Sequence, residues 1–278
     1  MVGPICYIGG KNRLASKIIS LLPEHTTYVE PFAGGAQVLF HKEPSHVEVL
    51  NDRDREIVNF FRVCQWHHEE LVRYLRFWPA SRELYEIHAR ADPAALTDVQ
   101  RAARFFYLQK NSFGGLVVRQ SFHYGVAHPP NYNPARIPEI LWQTSQRLQR
   151  VQVECLPYEE VLEKYDRPTT VFYLDPPYWE RKLYKFNFKE EDFIALEARL
   201  GELKGKFLLS LDDHPEVRKL FARWNLLPVD IAYTAQRNTG RRFRELIITN
   251  FEPRAAGAAD RPRVCSGEEE PVGKMGGL

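Results

Sequence analysis

Apolar residues cluster in short β-prone runs at both ends of the chain and recur at helical spacing between them. Strands are predicted over residues 27–30, 47–50, 151–156, 170–174, 206–211, 228–234 and 244–250, each a run of aliphatic, aromatic or β-branched residues bounded by turn formers. Helical spacing predicts a helix over 14–22, where Leu14, Ile18, Ile19 and Leu22 share a face and Pro23 stops the run. Further helices are predicted over 36–41, 54–63, 158–165, 190–203 and 215–224. Strands interleaved with helices read as an α/β fold with a seven-stranded, largely parallel sheet, ending in a hairpin that supplies one antiparallel member. Between residues 66 and 150 the pattern changes to helices interrupted by an aromatic and glycine-rich stretch, Asn111 to Gly125. The chain therefore divides into one α/β domain from 1–65 and 151–252, an insertion over 66–150, and a tail over 253–278.

Composition narrows this picture only a little. Hydrophobic content of 44% and charged content of 27% are those of a globular protein able to bury a core. The formal net charge is +2, but the insertion alone carries eleven Lys or Arg against seven Asp or Glu, so positive charge concentrates there. No apolar run approaches the ~18 residues of a membrane span, and the first residues lack a signal-peptide pattern, which suits a cytoplasmic protein. The cysteines at 6, 64, 155 and 265 form no Cys-x-x-Cys pair and read as reduced structural thiols. His67 and His68 are adjacent, so on a helix they point about 100° apart, and no third ligand is spaced nearby; no metal is expected. The tail is rich in Gly and Pro and reads as disordered.

The most informative stretch is Val171-Phe172-Tyr173-Leu174-Asp175-Pro176-Pro177-Tyr178. A buried strand that stops at two prolines places its last residues at the carboxyl edge of a parallel sheet, where open α/β folds bind ligands. The prolines force a sharp turn and lack N–H groups. The result is a rigid wall of acceptors, the Asp175 carboxylate and the carbonyls beside it, with Tyr178 next to it as a flat stacking surface. Such a wall suits an exocyclic amine such as adenine N6, whose lone pair is delocalised until two fixed acceptors favour its pyramidal form. Upstream, Glu30-Pro31-Phe32-Ala33-Gly34-Gly35 joins a strand to a helix through a glycine turn, and the next strand runs into Asn51-Asp52. Asp52 stands where a ribose diol is held in nucleotide-binding folds, or it caps the following helix. The departure from Gly-x-Gly-x-x-Gly disfavours a dinucleotide.

Two further segments point to nucleic acid. The stretch 111–125 mixes Phe113, Phe122 and Tyr124 with Arg119 and amide side chains, a mixture suited to entering base steps or reading base edges. The tip of the final hairpin holds Arg237, Arg241, Arg242 and Arg244 within nine residues, suited to phosphate contacts.

Taken in order, Tyr7-Ile8-Gly9-Gly10-Lys11, Glu30-Pro31-Phe32-Ala33-Gly34-Gly35, Asn51-Asp52 and Asp175-Pro176-Pro177-Tyr178 resemble the motifs of the Dam-like (D12) class of DNA adenine-N6 methyltransferases, especially the phage-encoded kind. The resemblance spans roughly residues 5 to 250. It implies a Rossmann-like sheet of the S-adenosylmethionine-dependent methyltransferase type, with an inserted DNA-recognition domain. It implies S-adenosylmethionine as the methyl donor, with Tyr7, Lys11, Glu30, Phe32, Gly34, Asp52 and Asp175 around it. Asp175, Pro176, Pro177 and Tyr178 would hold a target adenine flipped out of double-stranded DNA. Phe113, Arg119, Tyr124, Arg237, Arg241 and Arg242 would contact that DNA. Pro157 stands where many relatives carry an acidic residue, so backbone or Tyr158 contacts would replace a carboxylate on the cofactor adenine. Gly114 stands where Dam-like enzymes often have Asn, so a GATC target is not implied. The resemblance leaves open a cognate restriction endonuclease, the oligomeric state, N4-cytosine methylation and an inactive DNA-binding relative.

Overall fold

The computed structural model of the chain describes residues 1–5, 7, 11–112, 121–122, 131–179, 184–231 and 243–253. Its centre is a seven-stranded sheet in the order β3-β2-β1-β4-β5-β7-β6. The strands are β1 (Thr27–Glu30), β2 (Val47–Asn51), β3 (Val151–Glu154), β4 (Thr170–Leu174), β5 (Lys206–Asp212), β6 (Asn225–Ile231) and β7 (Phe243–Thr249). All pairings among β1 to β5 are parallel, and β7 runs antiparallel to both β5 and β6. The expected sheet with one antiparallel member is therefore present. Strand order reverses between β1 and β4, and this switch point opens a crevice at the carboxyl ends of the parallel strands.

Both sheet faces are covered, and the two-residue period of each strand divides its side chains between them. Tyr28, Leu50, Val171, Tyr173, Leu208 and Ile247 face one core. Val29, Val49, Phe172, Leu174, Leu209 and Ile248 face the other. The second face is covered by α8 (Tyr158–Tyr165), α9 (Glu190–Glu202) and α10 (Pro215–Leu220). The first is covered by α1 (Ala15–Leu21), α2 (Gln37–His41), α3 (Arg55–Trp66) and the helices of the segment 66–150. These last are α4 (His68–Leu75), α5 (Arg82–Arg90), α6 (Asp98–Asn111) and α7 (Ile137–Leu148).

The segment 66–150 shares its core with the sheet. Phe105 and Phe106 of α6 pack on Phe60 of α3 with ring centroids 5.6 and 5.7 Å apart, and one apolar cluster runs from Tyr28 to Leu141. Arg147 of α7 fastens the segment to the sheet by donating to both oxygens of the buried Glu48 in β2, at 2.5 and 2.8 Å. Lys42 donates to the same carboxylate at 2.6 Å.

Some predicted boundaries shift. The sixth strand begins at Asn225 instead of Pro228. Among the described residues it is an edge strand that pairs with β7 alone, so a proline inside it leaves no second ladder short of a donor. The last helix stops at Leu220, short of 224, because the chain turns there to bury Phe221 and to set Trp224 against Phe207 at 5.1 Å. The third strand ends at Glu154, before Pro157. No helix among the described residues is long and apolar enough to cross a membrane.

Candidate active site

Three βα turns meet at the carboxyl edge of the sheet, and side chains stitch them together. Gly34, after β1, has φ +47°, and a Cβ there would lie 3.2 Å from the Tyr7 ring, so both backbone and space call for glycine. The Gly34 N–H donates to Asp52 Oδ2 at 2.9 Å, and the Asp54 N–H donates to Asp52 Oδ1 at 2.8 Å. Asp52 thus ties the first turn to the second, while Asp54 caps α3 by accepting from Glu56 N–H. The Asn51 amide reaches further: it donates to the carbonyls of Pro31 and Leu156 and accepts from the Leu156 N–H. These turns enclose a cleft of about 1180 Å³ counting its open mouth, ample for a nucleoside-sized ligand. One wall is aromatic, with Phe32, Tyr158 and Phe188 centred 5.2 to 5.9 Å from one another. The lining is also acidic, with Glu30, Asp52 and Asp175 all bordering the space.

At the end of β4, Asp175 Oδ1 accepts from Lys11 Nζ at 2.7 Å and from the Ser210 hydroxyl of β5 at 3.1 Å. Ser210 is in turn paired with the Tyr173 hydroxyl at 3.1 Å. Asp175 Oδ2 takes no hydrogen bond among the described residues. Trp179 N–H donates to Asp212 Oδ1 at 3.2 Å, tying the end of the Asp-Pro-Pro-Tyr turn to the end of β5. Tyr178 is 5% exposed and packs in the second core. Its hydroxyl meets Lys11 and donates to Glu245 of β7 at 2.5 Å, and Lys11 Nζ also lies 4.7 Å from the ring centroid. The flat surface expected beside Asp175 is therefore turned inward, because the hydroxyl finds buried partners on β7 and the N-terminal segment.

Burial governs the electrostatics. Desolvation pushes the Glu30 carboxyl up to about 7, against hydrogen bonds from the Tyr28 hydroxyl at 2.7 Å and the Leu39 N–H at 2.8 Å. Desolvation also pushes Asp52 up to about 6 and raises Asp175, the latter opposed by Lys11. Between its ordinary value of 4.5 and about 7, Glu30 keeps its proton in the folded state and loses it in the unfolded chain. Its contribution to stability is therefore full below 4.5 and is lost as pH rises through 7. Glu30→Gln, which keeps an oxygen for Tyr28 and Leu39, is expected to remove that decline. Urea midpoints at pH 5 and pH 8 should differ less in the variant than in the parent protein.

Of the residues expected from sequence, Tyr7, Lys11, Glu30, Phe32, Gly34, Asp52, Asp175 and Pro177 all border the cleft. Pro176 and Tyr178 are buried behind it. Phe113, Arg119, Tyr124, Arg237, Arg241 and Arg242 lie outside the described residues, as do the 254–278 part of the tail and the glycines of the Tyr7-to-Lys11 motif. Sequence reading passed over Ser210, Glu245, Asn51 as a bridge between turns, and the wall supplied by Tyr184, Lys185, Phe186 and Phe188. Ser210 carried one signal, a polar residue between leucines inside an apolar run. Among the described residues no group of three or more His, Cys, Asp or Glu is placed to hold a metal ion.

Comparison with known proteins agrees with this geometry. Residues 7–235 match the profile of the D12 class N6 adenine-specific DNA methyltransferases. The chain is 27% identical over 269 residues to the type II methyltransferase M1.LlaDCHI of Lactococcus lactis subsp. cremoris, covering 88% of this chain and 94% of that one. It is 24% identical to the DNA N-6-adenine-methyltransferase of Escherichia phage P1, over 77% of this chain and 30% of the phage protein. It is 26% identical to the DNA adenine methylase of Escherichia coli (strain K12), over 62% of this chain and 63% of that one. With the glycine turn, the paired acidic strand ends and the Asp-Pro-Pro-Tyr turn converging on one cleft, this chain belongs to the D12 class of N6 adenine-specific DNA methyltransferases.

Proposed function

We propose that Asp175 carries the methyl transfer by accepting a hydrogen bond from adenine N6 on its Oδ2 atom, within a site-specific reaction on double-stranded DNA. The chain is a DNA adenine methyltransferase, and S-adenosylmethionine is its cofactor. The observation that carries the Asp175 role is the split of its carboxylate at the border of the cleft: Oδ1 is engaged by Lys11 and Ser210, and Oδ2 takes no hydrogen bond among the described residues. An acceptor held in place on one oxygen presents the other at a fixed position, with no reorganisation as charge develops on the amine. Lys11 offsets the burial of Asp175 and keeps it competent as an acceptor. The fixed carboxylate then spreads the positive charge that grows on N6, and Pro177 closes the adjoining wall.

The remaining cleft fits S-adenosylmethionine by its donor set. Carboxylates suit a cation and a ribose diol, and the Phe32, Tyr158 and Phe188 rings suit an adenine. The cofactor supplies an electrophilic methyl group on a sulfonium. Asp52, whose oxygens already accept two main-chain N–H groups, has lone pairs left for the ribose hydroxyls. Tyr158 and the rings beside it replace the carboxylate that many relatives place at the position of Pro157. Asp52→Asn is expected to weaken cofactor binding by about tenfold to a hundredfold, the size of a lost hydrogen bond to a charged group. Calorimetric titration with S-adenosylmethionine measures it.

The segment 66–150, where eleven Lys or Arg stand against seven Asp or Glu, is the proposed target-recognition part, with Phe113, Arg119 and Tyr124 as its reading residues and Arg237, Arg241 and Arg242 as phosphate contacts. A cognate restriction endonuclease is a proposed partner on the strength of the type II relative. The deciding experiment incubates the protein with methyl-labelled S-adenosylmethionine and unmethylated genomic DNA, then digests to nucleosides. Labelled N6-methyladenine is expected; labelled N4-methylcytosine, or no label, would overturn the reading.

A further inference from the structure

Glu245 lies in β7, beyond residue 235, where the match to the family profile ends. Register delivers it to the site: Glu245 pairs with Asp212 at the end of β5. The two-residue period puts it on the face of Ile247, which is also the face of Tyr173. The residue is 7% exposed. Its Oε1 accepts the Tyr178 hydroxyl at 2.5 Å and stands 4.0 Å from Lys11 Nζ. Its Oε2 is buried and has no hydrogen-bond partner among the described residues.

A carboxylate desolvated to this degree and satisfied on one oxygen is a costly way to fill space in a strand. An apolar residue of similar size would suit β7 better if packing were the only demand. What the carboxylate provides is an anchor for the Tyr178 hydroxyl and, at 4.0 Å, for Lys11, the ammonium that holds Asp175. Lys11 Nζ contacts Asp175 Oδ1 and the Tyr178 hydroxyl, and Glu245 Oε1 holds that same hydroxyl. The start of the Asp-Pro-Pro-Tyr turn is thereby tied to Lys11, and its end to both Lys11 and β7.

We propose that Glu245 is a positioning residue for the methyl transfer, acting through the Tyr178 hydroxyl and Lys11 to fix Asp175 against the target amine. The proposal rests on Asp175 as the amine acceptor.

The test uses the full chain, single-turnover methyl transfer to duplex DNA, and calorimetric cofactor titration. Glu245→Leu replaces the desolvated carboxylate by an apolar side chain of similar size, and Tyr178→Phe removes the hydroxyl alone. Each is expected to lower the single-turnover rate by about tenfold to a hundredfold. Cofactor Kd should stay within about twofold of the parent value, and the double variant should lose no more than the worse single one. Glu245→Gln, which keeps an oxygen for Tyr178, should recover most of the rate. A parent-like rate in folded Glu245→Leu or in Tyr178→Phe overturns the proposal. So do losses that multiply in the double variant, or that follow cofactor binding. Tyr178→Phe decides the matter alone if Glu245→Leu does not fold. Failure of the Asp175 reading shows separately, as a folded Asp175→Ala protein with a near-normal rate.

Discussion

Asp175→Ala and Asp175→Asn are each expected to cut single-turnover methyl transfer by about a hundredfold to a thousandfold, the loss typical of removing one preorganised group at the reacting atoms. The two variants fail for different reasons, and together they isolate the role of Oδ2. Alanine removes both acceptors and takes from Lys11, itself 4% exposed, its ion-pair partner at 2.7 Å. That carries a stability cost, because a buried ion pair loses one of its members. Asparagine keeps an oxygen for Lys11 and Ser210 and so preserves the local network. It then turns an amide N–H₂ toward the cleft, where a donor meets the N–H groups of the substrate amine. A folded Asp175→Asn protein that binds S-adenosylmethionine normally and transfers no methyl group therefore separates acceptance at N6 from folding and cofactor binding. A near-normal rate in either folded variant would remove Asp175 from the chemistry.

Asp175 was legible because two local signals coincide on it, an apolar strand and a proline stop. Glu30, Gly34 and Asp52 were legible for the same kind of reason, since each ends a strand or opens a turn within a few residues. Ser210 and Glu245 were not, because what makes them part of the site is register. Ser210 reaches Asp175 across 35 positions of sequence, and Glu245 reaches Tyr178 across 67. Nothing local to either residue says which strand will lie beside it. Tyr178 shows the converse limit. Its place after the prolines was clear from sequence, but the direction of its ring depends on the partners waiting on β7 and the N-terminal segment. The boundary of the segment 66–150 has the same character: a change of pattern along the chain marks an insertion, and only packing shows whether it folds as a separate body.

Packing here predicts that it does not. Phe106 of α6 is fully buried and stacked on Phe60 of α3, with ring planes 18° apart. Truncation to alanine leaves a cavity the size of the ring between two helices that Phe105 also joins through Phe60. Phe106→Ala is therefore expected to cost about 3–5 kcal/mol, near the upper end for a single substitution. The form of the unfolding curve is as informative as its midpoint. Because the cluster that holds Phe106 also contains Tyr28, Val171 and Tyr173 of the sheet, loss of helix signal and loss of S-adenosylmethionine binding should move together to lower denaturant in one transition. A separately folded insertion would instead show two transitions, with cofactor binding surviving the first. A single transition would mean that the helices proposed to meet DNA and the strands that lead to Glu30 and Asp175 share one cooperative core. Strain imposed on one by a bound duplex would then reach the other through packed side chains, without a hinge.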